Sequence, residues 1–70
     1  MKPAPVRLRL KEVRESRGLT QAELAKRSGV GRPSISNIEN HKTSGVDFDV
    51  LARLAQALNV NAAVLIQHDS

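Results

Sequence analysis

The sequence predicts an all-α protein, a bundle of four to five short helices, with room for a small two-stranded β-ribbon formed by the N- and C-terminal segments. Three observations lead there. Helix-starting and helix-ending residues recur at short intervals along the chain, and apolar residues between them fall at helical spacing. Strand-like alternation is confined to the start of the chain, in "VRLRL". Finally, 70 residues suffice for one domain whose core supplies only a few kcal/mol (roughly 3–5). With no cysteine, neither a disulfide nor a cysteine-ligated metal can staple that core, so packing or a partner subunit must hold it.

The elements follow in order. The first ten residues fit two readings: Val6, Leu8 and Leu10 alternate with Arg7 and Arg9 like a strand, while Val6, Leu10 and Val13 also share a helical face. The two prolines upstream favour a short strand at about 6–9, with a helix beginning near Leu10 and "LIQHD" as an antiparallel partner. Gly18 can end the first helix in the left-handed conformation. "TQAE" is a capping box, in which Thr20 bonds forward and Glu23 reaches back. The helix it starts, about 20–28, stops at Gly29. A third helix, about 32–40, opens after Gly31, and Pro33 is tolerated in its first turn because those N–H groups lack intrahelical partners. Asp47 caps a fourth, "FDVLARLAQAL", whose Phe48, Leu51, Leu54, Ala55 and Leu58 make one apolar stripe. Asn59 can end it, and Asn61 can cap a last turn through "AAVL".

Charge is distributed unevenly. The formal net charge is +4, yet residues 1–42 hold ten of the eleven Lys/Arg against four of the seven Asp/Glu. The remainder is weakly acidic. Such asymmetry points one end of the molecule at a polyanion, nucleic acid above all. Phe48 is the sole aromatic, which excludes recognition of single strands by stacking bases on rings. No apolar run approaches the roughly 18 residues of a membrane span, and "MKPAPVRLRL" interrupts its apolar residues as no signal peptide does. A cytoplasmic protein is expected.

The centre of the chain carries the functional signal. Two short helices are separated by a tight turn at Gly29, and Leu24, Val30, Ile35 and Ile38 fall where two steeply crossing helices share a core. Ala25 is small where the second helix must approach closely, and Gly29 permits a positive φ. Ordinary αα-hairpins share the apolar spacing but seldom both of these features. The pattern is that of a helix-turn-helix DNA-binding motif. On a wheel of about 100° per residue, Ile35 and Ile38 set the buried direction of the second motif helix, with Glu39 at its edge. Pro33, Ser36, Asn37 and Asn40 then cluster on the opposite side, with Arg32 at the exposed start. Solvated faces are usually rich in Lys and Glu, whereas this one offers small hydrogen-bonding groups suited to base edges in a major groove, and Pro33 can touch a thymine methyl.

Taken together, "LKEVRESRGLTQAELAKRSGVGRPSISNIENHKT" and "DFDVLARLAQALNV" resemble the phage lambda repressor-like helix-turn-helix family, the Xre/Cro group of transcriptional regulators, over roughly residues 10–66. The resemblance implies a compact helical bundle that binds an inverted-repeat operator in double-stranded DNA as a homodimer. Position by position, it implies base contacts from Arg32, Pro33, Ser34 and Asn37, beside Ser36 on the same face. It implies phosphate contacts from Gln21, Asn40, Lys42 and Thr43, and a largely buried structural ion pair between Arg14 and Glu39. Three residues depart from the family pattern. Gly31 replaces the usual Ser or Thr cap, Pro33 cannot hydrogen-bond a base, and His41 stands where Gly is common after "EN".

Other functions fare worse. His41 and His68 are far apart in the sequence and Glu39 has a predicted partner, so neither catalysis, nor a metal, nor a cofactor is expected. An antitoxin-type module that binds a partner protein such as a toxin is the rival reading. Gln21, Asn37, Asn40 and Lys42 standing together favour DNA, and no extra segment is set aside for a partner. A repressor without a sensor domain is the expected regulator. Its dimer surface is expected among the apolar residues around Val60 to Ile66 that the core leaves uncovered, away from the basic motif.

Overall fold

The computed structural model describes residues 6–42 and 46–68. In chain order the elements are strand β1 (Val6–Leu8), helices α1 (Leu10–Ser16), α2 (Gln21–Ser28), α3 (Arg32–Glu39) and α4 (Phe48–Leu58), a 3-10 turn (Ala62–Leu65) and strand β2 (Ile66–His68). The protein is all-α apart from one small ribbon. In it β1 and β2 pair antiparallel, with Val6 opposite His68, Arg7 opposite Gln67 and Leu8 opposite Ile66. The Arg9 N–H donates to the Leu65 carbonyl at 2.7 Å, extending the ladder to the residue that precedes α1. Alternation therefore prevails over the helical reading of residues 6–9, because the chain end supplies backbone partners.

The helices begin and end largely as their punctuation predicts. Thr20 Oγ1 accepts from the Glu23 N–H at 3.1 Å, while Glu23 Oε1 accepts from the Thr20 N–H at 3.0 Å, completing the capping box. Those bonds hold the Glu23 carboxyl below its ordinary value. Asn61 Oδ1 accepts from the Ala63 N–H and opens the 3-10 turn. Asp47 occupies the cap position of α4, but its side chain makes no capping bond. Left-handed residues close all four helices: Gly18, Gly29, His41 and Asn59. At His41 the geometry is a full Schellman closure. Its N–H donates to the Ile38 carbonyl at 3.1 Å, and the Lys42 N–H donates to the Asn37 carbonyl at 2.9 Å.

One core joins the helices. Leu10 and Val13 of α1, Leu19, Leu24 of α2, Val30, Ile35 and Ile38 of α3, and Leu51, Leu54, Ala55 and Leu58 of α4 are buried together with Leu65. Burying each large aliphatic side chain contributes roughly 1.5–3 kcal/mol against the entropy of ordering the chain. One expectation fails here. Phe48 lies on the helical stripe of α4 yet is 78% exposed, while Val46 and Val50 on either side of it pack against the core. Among the apolar residues between Val60 and Ile66 the core takes up Leu65, which is only 1% exposed. The 3-10 turn rotates it inward onto α4 and leaves Val64 outward, 44% exposed. Among the described residues no helix is long and apolar enough to cross a membrane.

Candidate nucleic-acid interface

The site is built on the α2–turn–α3 unit. Helix α2 ends at Gly29, whose φ of 75° lets its N–H close on the Ala25 carbonyl at 2.9 Å. The side chain of Ser28 stabilises the same turn by accepting from the Val30 N–H at 3.1 Å, and Val30 drops into the core. Gly31 then caps α3 in an extended conformation without a side-chain bond, and Pro33 lies in the first turn. This cap costs only a few tenths of a kcal/mol relative to the usual Ser or Thr (about 0.3).

Burial of Ile35 and Ile38 fixes which side of α3 faces outward. Arg32, Pro33, Ser34, Asn37 and Asn40 are exposed, while Ser36 is half-buried at the edge of that face. Asn40 Nδ2 approaches Ser36 Oγ at 3.4 Å, so these two side chains meet along the surface. Lys42 is exposed just beyond the helix, its backbone tied to Asn37 by the Schellman closure. Thr43 lies outside the described residues. A row of neutral donors and acceptors thus has a cation at each end, Arg32 and Lys42.

Beneath this face lies a buried polar node. Arg14 of α1 donates through Nε to Glu39 Oε2 at 2.7 Å and through Nη2 to Glu39 Oε1 at 3.0 Å. Its Nη1 donates to the Leu19 carbonyl at 2.7 Å. Both residues are 8% exposed. Gln21, the first residue of α2, donates through Nε2 to Glu39 Oε1 at 3.0 Å. Burial alone would push the Glu39 carboxyl up. The hydrogen bonds from Arg14 and Gln21, with the charges of Arg14 and Lys11, outweigh burial and hold it below its ordinary value. The hydrogen bond to Glu39 likewise raises Arg14, so the node is fully ionised at neutral pH. No buried side-chain polar atom among the described residues is left unpaired. Arg14 and Glu39 meet as the resemblance implies. The bond from Gln21 has no signal in the sequence, since it links residues eighteen apart that share no helix.

A profile described as helix-turn-helix matches residues 10–65, most of the chain. The chain belongs to the lambda repressor-like helix-turn-helix family. That family comprises DNA-binding transcription regulators, and the arrangement of α2 and α3 is the unit its name describes. Curated protein sequences provide no match. Solved structures do. The restriction-modification controller protein C.AhdI from Aeromonas hydrophila superposes with a TM-score of 0.75 at 32% identity, covering 80% of this chain and 83% of that one. The N-terminal DNA-binding domain of SinR from Bacillus subtilis gives 0.75 at 27% identity, covering 79% and 80%. A crystal structure of a protein from Bacteroides fragilis gives 0.80 at 28% identity, covering 90% of this chain and 100% of that one. A controller protein and a DNA-binding domain thus share the fold of about four-fifths of this chain.

Proposed function

We propose that this protein is a cytoplasmic, sequence-specific regulator, a repressor that reads the major groove of double-stranded DNA with α3 and binds as a homodimer. Residues 1–70 work as one DNA-binding domain without a cofactor. The observation that carries the reading is the outward face of α3. Its small polar residues stand on buried Ile35 and Ile38, with Arg32 and Lys42 at the two ends. Arg32, Ser34, Ser36 and Asn37 hydrogen-bond base edges, and Pro33 contributes an apolar contact. Gln21, Asn40, Lys42 and Thr43 bind phosphates and set the register of the helix without specifying sequence.

Physical economy supports the dimer. One helix reads only a few base pairs, too few to single out a site among genomic competitors. A two-fold pair places two copies of α3 in successive major grooves, about 34 Å apart, on an inverted-repeat operator. Among the described residues of the C-terminal segment the exposed large apolar side chain is Val64, which makes it the candidate contact. The test is selection from random duplex DNA, followed by footprinting and stoichiometry on the recovered site. An inverted repeat occupied by two chains is the expected result. A protein that recovers no preferred sequence, or one chain on an asymmetric site, refutes the respective half of the proposal.

A further inference from the structure

The two motif helices are joined at their near ends, by the turn through Gly29 from the last residue of α2 to the first of α3. Their far ends meet too. Gln21 opens α2, Glu39 closes α3, and Gln21 Nε2 donates to Glu39 Oε1 at 3.0 Å. Among the described residues this is the one side-chain hydrogen bond between α2 and α3. The two bonds from Arg14 secure Glu39 to α1, and the third reaches Leu19 in the connection before α2. Only Gln21 ties Glu39 to α2 itself.

From this closure we infer that Gln21 is a positioning residue for base reading, acting through Glu39 to fix the angle of α3 against α2. The inference rests on the proposed reading of α3 and deepens it. A helix of eight residues is about 12 Å long, so a tilt of about 5° about the turn moves its far end by about 1 Å. Recognition groups must be held to within about 0.5 Å of their working geometry. The buried carboxylate is well placed for the task, because Arg14 already holds it at both oxygens and it has little freedom of its own. A carboxamide suits the position at residue 21. It donates to Glu39 without adding a second negative charge, and its other N–H stays available on a half-exposed side chain.

This role and a phosphate contact alone differ in what they change. Loss of a phosphate contact weakens all duplexes equally, whereas loss of the angle of α3 weakens the preferred sequence more. The test compares wild type with Gln21→Met, which keeps the side-chain length and removes the donor. Affinities for the selected site and for a random duplex are measured well below the melting temperature of both proteins. Gln21→Met is expected to lose about 3- to 10-fold more affinity for the selected site than for the random duplex, the worth of one net hydrogen bond. Nuclear magnetic resonance of the free wild-type protein supplies a second readout that needs no variant. One side-chain amide proton of Gln21 should be shifted and protected from exchange relative to those of exposed Gln56. An equal loss on both duplexes, no loss, or Gln21 amide protons indistinguishable from those of Gln56 overturns the inference. A wild-type protein without any sequence preference overturns the proposed function itself, and this inference with it.

Discussion

Replacing Arg14 by Ala removes three hydrogen bonds at once, two to Glu39 and one to the Leu19 carbonyl. The larger consequence is what remains. Glu39, 8% exposed, keeps its charge with one neutral donor, Gln21, where it had a bidentate guanidinium. Stranding one partner of a buried pair costs about 3–5 kcal/mol, as much as a core of this size supplies. At pH 7 the variant should therefore be largely unfolded, or close to it, by urea or thermal melting followed by circular dichroism. The pH dependence gives the reasoning a second edge. The Glu39 carboxyl titrates below its ordinary 4.5 in the folded protein. Its contribution to wild-type stability is therefore present above about pH 4.5 and is lost as pH falls through the lower folded value. The gap between wild type and Arg14→Ala should narrow over that acid range, because a protonated Glu39 is cheaper to strand. A paired replacement, Arg14→Met with Glu39→Met, should recover most of the stability, since apolar residues of similar volume often match a buried pair. An Arg14→Ala protein within about 0.5 kcal/mol of wild type at pH 7, the range of ordinary surface changes, would refute the buried-node argument.

Three further outcomes are expected. Asn37→Ala should cost about 1–3 kcal/mol of specific binding and relax the preference at one base position per half-site, and an unchanged selection profile would remove Asn37 from the reading face. Lys42→Ala should weaken all duplexes similarly and flatten the log–log salt slope by about one, so a loss confined to the selected site would contradict its phosphate role. His41→Gly should stabilise the protein by roughly 0.5–1 kcal/mol, the left-handed strain of about 1–2 kcal/mol less the extra freedom of an unfolded Gly; a lower melting point would mean that the imidazole makes a compensating contact.

Much of this fold is legible from local chemistry. The capping box at Thr20 and the left-handed exits at Gly18, Gly29 and Asn59 are each decided by neighbouring residues, and each is found; the ribbon strand at Val6–Leu8 shows in its alternation but needs the chain end as its partner. What periodicity leaves open is whether anything lies over an apolar face. Phe48 shares the helical phase of Leu51 and Ala55, but at the entry to α4 it is Val46 and Val50 that pack against the core. Nor does periodicity say which apolar residue of the last turn goes inward, since a 3-10 turn advances the chain by a different angle per residue than the α-helix; there Leu65 is the buried one. At the candidate site, the outward positions of α3 follow from its two isoleucines. The Arg14–Glu39 pair is available only through family resemblance, because twenty-five residues separate its members. The bond from Gln21 depends on how two helices close in space, and no spacing rule encodes it.

The outward placement of Phe48 leaves the core of this molecule without an aromatic ring, since the chain holds no Trp, no Tyr and one Phe. The protein is consequently almost dark in the near ultraviolet, both in absorbance and in emission. That darkness is an experimental asset. Phe48→Trp would install a lone indole at a position 78% exposed, where the added bulk displaces no core side chain. Its emission would report on one surface, at the entry to α4, against no background from elsewhere in the chain. A blue shift on raising the concentration would reveal a second chain covering that surface. A shift seen only when duplex is added would instead tie the entry of α4 to the nucleic-acid complex.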